Sequence, residues 1–291
     1  MLIFGEHEAQ AGAAELAGFL ARHRNVLVLT GAGISTASGI PDYRDKDGVR
    51  RGRAPVQGPE FRKQDAVRRR YWARSMVGWP TLAQASPNAA HVALAELESR
   101  GGLGSIITQN VDGLHQRAGS RRLIELHGNI HGVVCLECRA QYARVDIQRQ
   151  LLRENPALAQ TNAQPLPDGD AQLEPEALDD FHVPHCARCG GVLQPDVVFF
   201  GDNVPPERTG EALRWMAEAD ALLVVGSSLM VFSGYRFCKL AAAAGKPIAA
   251  INAGKTRADD LMELKIAASA EIVLPMLAKP GLEGWGQTRR V

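Results

Sequence analysis

Short apolar runs recur along this chain, and each ends in small or polar residues. Val26-Leu27-Val28-Leu29 leads into Gly31-Ala32-Gly33, Ile106-Ile107 into Thr108-Gln109-Asn110-Val111-Asp112, and Leu123-Ile124 into Glu125-Leu126-His127-Gly128. Ala221 to Val225 leads into Gly226-Ser227-Ser228, and Ile248 to Ile251 into Asn252-Ala253-Gly254. Unalternated runs of this length read as strands buried on both faces, and helical spacing between them, as over residues 6–23, supplies the covering helices. Pro in a first turn and Gly past a last turn bound a helix opened by Ser86-Pro87 and closed by Gly101. Val197-Val198-Phe199-Phe200 and Ile272-Val273-Leu274 read as further strands. The expected fold is α/β, a doubly wound parallel Rossmann-like sheet with right-handed crossovers.

Two stretches fit that alternation poorly. Residues 45–85 are basic, aromatic and irregular; residues 129–195 carry four cysteines and a Pro/Gln/Asp-rich linker from Pro156 to Asp170. They read as a helical insertion and a zinc-binding module that together form a smaller inserted domain. The main domain is then discontinuous, from 1–44, 86–128 and 196–291, and the chemistry belongs in the cleft between the two.

A formal net charge of +1 over 291 residues gives no reason to expect nucleic acid or an acidic membrane as partner. Charge is nevertheless uneven. Residues 44–74 hold eleven Lys/Arg against four Asp/Glu, and Arg153 to Asp180 holds seven acidic residues against one basic; both read as solvated faces. No apolar run approaches the roughly 20 residues that span a bilayer, and the start lacks the basic region of a signal peptide, so a cytoplasmic chain is expected.

Cys135-x-x-Cys138 and Cys186-x-x-Cys189 have zinc-knuckle spacing, 47 residues apart. Four thiolates close a tetrahedron and leave no position for water, which makes the expected metal structural. The alternative is buried free thiols or redox pairs. His182 and His185 lie near the second pair but read as solvated loop residues, and Cys238 as a small buried hydrophobe.

The loop Gly31-Ala32-Gly33 departs from a G-x-G-x-x-G frame, with Thr36 at the third glycine's place. Taken alone it is as easily a tight connection as a phosphate cradle. The exits at Gly226-Ser227-Ser228 and Asn252-Ala253-Gly254 strengthen the nucleotide reading, because three small strand exits can converge on one dinucleotide. Asn110 and Asp112 stand where a carboxamide and a carboxylate can hold ribose hydroxyls, although Asp112 also suits a helix cap. His127, at a strand end between the glycine loop and the cysteines, can act as a general base on a ribose hydroxyl. His91, His115 and His131 read as helix or loop residues.

Together these segments resemble the sirtuins, the NAD-dependent protein deacylases, from about residue 20 to 275. The resemblance rests on the run from Gly31 to Arg44, on Thr108 to His115, on His127, on the four cysteines, and on Gly226-Ser227-Ser228 and Ile251-Asn252 in that order. Tyr43 resembles the class II branch. Tyr71-Trp72-Ala73-Arg74, Gly78-Trp79-Pro80, Pro167-Asp168-Gly169-Asp170 and Ser233 to Phe237 are similar to the branch of the fourth human sirtuin, a mitochondrial protein, in a bacterial-type form.

The resemblance implies that NAD is a reactant. The acyl-lysine carbonyl oxygen attacks the anomeric carbon, nicotinamide leaves, and His127 deprotonates a ribose hydroxyl that carries the acyl group away as O-acyl-ADP-ribose. Asn110 and Asp112 hold the nicotinamide end. Gly31, Ala32, Gly33, Pro41, Asp42, Tyr43 and Arg44 line the diphosphate and nicotinamide side. Gln109 and Val111 border the ribose, and Gly226, Ser227, Ser228, Asn252, Ala253, Gly254 and Ala270 border the adenosine half. Acyl-lysine peptides add as a strand between Val198-Phe199-Phe200-Gly201 and Leu229 to Phe232. Tyr71 and Arg74 have the spacing of an acidic-acyl pocket, the alternative being that Arg74 is solvated. The competing functions are protein mono-ADP-ribosyl transfer or lipoamide hydrolysis at the same site, and a non-catalytic NAD-sensing scaffold. Hydride transfer fits least.

Overall fold

The computed structural model describes residues 2–51, 54–159, 161 and 180–278. Among these the strands are β1 (Val26–Thr30), β2 (Ser105–Thr108), β3 (Leu123–Glu125), β4 (Gly128–Cys135), β5 (Gln141–Ala143), β6 (Leu193–Val197), β7 (Ala221–Val225), β8 (Ile248–Ile251) and β9 (Leu264–Ile266). The helices are α1 (Leu2–Ala21), α2 (Gly58–Lys63), α3 (Asp65–Gln84), α4 (Ala89–Ser99), α5 (Leu114–Ala118), α6 (Arg144–Glu154), α7 (Pro206–Glu218), α8 (Phe232–Ala243) and α9 (Ala270–Ala278).

Six strands form one parallel sheet in the order β3-β2-β1-β7-β8-β9. Successive side chains of a strand point to opposite faces, so each interior strand feeds two cores. Val26 and Val28 of β1 pack with Leu223 and Val225 of β7 under α1, α4 and α9. Leu27 and Leu29 pack with Leu222 and Val224 under α7 and α8, where Phe237 and Cys238 are buried. The doubly wound expectation therefore holds, and Cys238 is the small buried residue it was read to be.

The second lobe is a three-stranded antiparallel sheet, β5-β4-β6, packed on α2, α3 and α6. Most of residues 45–85, expected as a helical insertion of irregular sequence, is α2 and the 20-residue α3, so its regular helical content is higher than its composition suggests. Pro80 lies inside α3 and cannot donate to the carbonyl of Met76, four residues back. Gln148 of α6 supplies the missing donor, its Nε2 reaching Met76 O at 2.7 Å. Arg144, fully buried, donates to Ser75 O and Ser75 Oγ at 3.2 Å and lies over the rings of Trp72 and Trp79. A helix that proline would break in isolation thus persists because another helix satisfies it.

Three expectations are corrected. Val197 ends β6 of the second sheet, and Val198 to Phe200 lie beyond it, so that run is no strand of the parallel sheet. Ile272 to Leu274 lie in α9; its β-branched pair suggested a strand, but Val273, Leu274 and Leu277 are buried against the first core and the outermost strand is β9. Helix α4 starts at Ala89, not at Pro87, because Asn88 is its N-cap: Asn88 Oδ1 accepts from Ala90 N at 2.9 Å and His91 Nδ1 accepts from Asn88 N. The segment Pro167 to Asp170 and most of the acidic stretch lie outside the described residues.

Candidate active site

Connections leave β1 toward β2 on one side and β7 toward β8 on the other, so the C-terminal ends of β1 and β7 mark a topological switch point. Thr30 pairs with Val225 there, which brings the two glycine exits side by side. Gly31 N donates to Val225 O at 3.1 Å and Gly33 N to Gly226 O at 2.8 Å. The approach is too close for a side chain. A Cβ on Gly226, whose φ is +60°, would stand 2.3 Å from Ile34 N, and one on Gly33 would stand 2.9 Å from Gly226 O.

A cavity of about 590 Å³ opens at these exits and extends beneath the second lobe. Gly31, Ala32, Gly33, Asp42, Tyr43 and Arg44 line it, as do Gln109, Asn110, Val111, Asp112 and His127. Gly226, Ser227, Ser228, Asn252, Ala253, Gly254 and Ala270 line the far side, and Tyr71, Val198 and Phe199 the side of the second lobe. Of the residues singled out in the sequence for this cleft, Pro41 and Arg74 are not among the lining residues. Arg74 is 9% exposed on α3, so the reading of it as a solvated arginine is corrected as well. Tyr71 packs edge-on against Phe61 and Phe199, with ring centroids 5.4 and 5.2 Å away.

Asn110 and Asp112 are joined through a residue the sequence reading left out of the site. Ser35 Oγ donates to Asp112 Oδ2 at 2.8 Å and accepts from Asn110 Nδ2 at 3.0 Å. Asn110 also donates to Gly31 O, which ties the second polar exit to the first. Asp112 Oδ1 accepts from Leu114 N at 3.0 Å, so the carboxylate, one residue before the N-cap Gly113, holds the first N–H of the short α5 while lining the cavity. Ser35 lies two residues beyond Gly33 and is buried, and nothing in the sequence beyond its closeness to the glycine turn marks it. Behind this cluster Thr30 Oγ1 donates to Thr108 Oγ1 at 2.8 Å and takes a hydrogen bond from His115 Nε2 at 2.9 Å. The His115 and His91 rings lie 4.9 Å apart, and burial pushes their pKa values down to about 3 and about 4. They are helix residues as expected, whereas His131 lies on β4.

His127 follows β3, and Val198 N donates to its carbonyl at 2.8 Å. Its Nδ1 lies 2.9 Å from Gln109 O, which can only accept, so the proton sits on Nδ1 and the lone pair on Nε2. Ser233 Oγ lies 2.8 Å from that Nε2. Burial lowers the ring's pKa, opposed by the bond to Gln109 and assisted by Arg208, so the ring is neutral and able to accept a proton at neutral pH. Gln109 is itself held by its Nε2, which donates to Ser227 Oγ at 2.9 Å and Thr30 O at 3.2 Å. Leu229, with φ +58°, is fixed in the left-handed region by a bond from its N–H to Ser227 Oγ.

The four cysteines gather at one end of the second lobe, unbridged, with their sulfurs all within 4.8 Å of one another. Two sulfur pairs lie at 3.5 and 3.6 Å. A tetrahedron of thiolates around zinc, with bonds of about 2.3 Å, has edges of roughly 3.8 Å, and the cluster fits it. His182 and His185 are exposed and the sulfurs complete the set without them.

A switch-point cavity with interlocked glycine turns, a polar cluster and a neutral histidine defines a Rossmann-like nucleotide-binding enzyme that carries a structural cysteine site. The Sir2 family pattern matches residues 31–233, and the chain belongs to that family. It is 53% identical over 262 residues to an NAD-dependent protein deacetylase of Xanthomonas campestris pv. campestris, covering 90% of this chain and 89% of that one. It is 53% identical over 257 residues to NAD-dependent protein deacetylase 3 of Pseudomonas syringae pv. tomato, covering 88% and 92%. Among solved structures, one described as the structural basis for the mechanism and regulation of Sir2 enzymes superposes with a TM-score of 0.73 at 34% identity, covering 92% of this chain and 97% of that one. A Sir2 complex with a p53 peptide and NAD+ superposes with a TM-score of 0.72 at 30% identity, covering 90% and 95%.

Proposed function

We propose that this chain is an NAD-dependent protein-lysine deacylase that releases nicotinamide and O-acyl-ADP-ribose. The observation that carries the reading is the orientation of His127: its protonated nitrogen is turned to Gln109 O, and its basic nitrogen belongs to the cavity at the switch point. NAD, when bound, supplies the electrophilic anomeric carbon and the ribose hydroxyls. The residues of this chain do the rest. The N–H groups and absent side chains at Gly31, Gly33 and Gly226 leave room for a diphosphate to approach the backbone. Asn110 and Asp112, fixed by Ser35, orient the nicotinamide and its ribose, and His127 takes the ribose proton. The opposed segments at Val198 to Gly201 and Leu229 to Phe232 leave Phe232 and Phe200 exposed for an extended acyl-lysine peptide.

The division into a nucleotide-binding domain (1–44, 86–128, 196–291) and a smaller domain (45–85, 129–195) is supported by the hydrophobic clusters of the two lobes except at its last boundary, where Val197 and Phe199 pack with the second lobe. We read the chain as a class II member similar to the fourth human sirtuin, in a bacterial-type cytoplasmic form; among the described residues no helix is long and apolar enough to cross a membrane. The aromatic wall of Tyr71 and Phe199, backed by Phe61, favours acyl groups longer than acetyl, with Arg74 three residues beyond Tyr71 on the same helix as the candidate for an acidic acyl end.

The test is nicotinamide release with acetyl-, succinyl-, glutaryl- and lipoyl-lysine peptides. Release that requires peptide, together with O-acyl-ADP-ribose formation that falls by roughly 10²- to 10⁴-fold in His127→Ala, supports the reading. ADP-ribose attached to protein would favour transferase chemistry instead. The acyl ranking with Arg74→Ala decides whether that guanidinium contributes, an unchanged ranking removing it from the pocket.

A further inference from the structure

The Nε2 lone pair is the only basic position left on His127, and it is engaged. Ser233, the second residue of α8, places Oγ 2.8 Å from it, and both side chains line the same cavity. Since Nδ1 carries the ring proton, the Ser233 hydroxyl donates to Nε2. A ring flip would free Nε2 only by breaking the bond to Gln109 O. Ser233 Oγ makes no other hydrogen bond among the described residues, which leaves its own lone pairs open to a donor in the cavity.

We propose that Ser233 is a catalytic proton relay between the substrate ribose hydroxyl and His127, an inference that rests on the deacylase reading. The ribose O–H bond breaks as its proton passes to Ser233 Oγ, and the Oγ–H bond breaks as that proton passes to Nε2. Ser233 ends as it began. The ribose oxygen keeps the electron pair with which it attacks, and the imidazolium is stabilised by its Nδ1–H bond to Gln109 O. A direct transfer would need the substrate hydroxyl to displace a donor already seated on a single lone pair; the relay needs no displacement.

The relay acts after nicotinamide has left, so it predicts a split between two measurable steps. In Ser233→Ala, peptide-dependent exchange of labelled nicotinamide into NAD stays within about twofold of wild type, while O-acyl-ADP-ribose formation falls roughly 10- to 100-fold. Ser233→Thr, which keeps a hydroxyl, regains a large part of the loss. In the free protein, histidine nitrogen NMR shows the His127 Nε2 resonance shifting in Ser233→Ala toward that of an unbonded acceptor. Unchanged or faster product formation in Ser233→Ala would make the hydroxyl a plug, and an equal fall in both steps would make it structural; either overturns the relay. An unmoved Nε2 resonance overturns it without any turnover. Wild type that performs no exchange with any acyl peptide would count against the deacylase reading itself.

Discussion

The strands β1 and β7 are buried along their whole length and lock their exits together through main-chain bonds from Gly31 and Gly33. In the second lobe, β5 is three residues long with both end residues exposed, and order comes from side chains: four clustered thiols, Gln148 under a proline-broken carbonyl, and a buried arginine between two tryptophans. The first lobe shapes the nucleotide crevice by backbone geometry, which tolerates little variation and is repeated strand by strand. The second contributes Tyr71 and Phe199 to the same cavity from elements that hold their places through long-range contacts. A lobe built in the second way is the one that can change its side chains, and with them its substrate, without disturbing the crevice.

The largest break between the lobes should follow removal of the metal. Structural zinc in small domains contributes on the order of 10 kcal/mol to folding, and here its ligands join the β4 end to the turn before β6. Cys135→Ser, or a strong chelator, should release zinc and expose α3 and α6 to limited proteolysis, while far-ultraviolet circular dichroism retains the signal of the helices around the parallel sheet. Simultaneous loss of both lobes would mean that the sheet cannot stand without its insertion.

Acid should act in the opposite sense, on the first lobe. His91 and His115 sit between α4, α5 and the ends of β1 and β2, with pKa values of about 4 and about 3 against an ordinary value near 6.5. Below about pH 6.5 the unfolded chain binds protons that the folded one refuses, so stability declines as pH falls toward 4. The linkage amounts to as much as about 3 kcal/mol per ring at pH 4. Denaturant titrations from pH 7 to 4 should show the decline, and His115→Gln should flatten it. An equal slope in the variant would assign the acid sensitivity elsewhere.

The same contrast explains how much could be read from the sequence. The apolar runs and their polar exits are local signals that place the parallel sheet and the strand ends that line the cavity, and the Cys-x-x-Cys spacing is a local signal for the cysteine cluster. The helical insertion at 45–85 is legible as such, but the bounds of α3 are not, because its buried face includes Arg74 and Ser75, and because Gly78 and Pro80 are helix breakers whose damage is repaired from α6, some 70 residues away. Helix α9 is not legible because the β-branched pair Ile272-Val273 favours a strand, and only the first core, which buries Val273, Leu274 and Leu277 and leaves Ile272 exposed, selects a helix. Ser35 and Ser233 are ordinary serines in sequence. Only the fold brings one between Asn110 and Asp112 and the other to His127.

That repair of α3 gives the smallest and most local test. Gln148 is buried; its Nε2 donates to Met76 O and its Oε1 accepts from Arg144 Nη1 at 2.8 Å. Gln148→Leu keeps the apolar bulk but leaves the Met76 carbonyl and one guanidinium nitrogen without partners, a loss of about 1–3 kcal/mol. Pairing it with Pro80→Ala restores a main-chain donor to Met76 O, so the double variant should recover part of that loss even though Gln148 is still absent. Urea midpoints for the two single variants and the pair measure the coupling directly. Strict additivity would show that α3 tolerates an unsatisfied carbonyl at its proline; a positive coupling would show that this lobe depends on a side chain for a bond that the parallel sheet makes with its backbone.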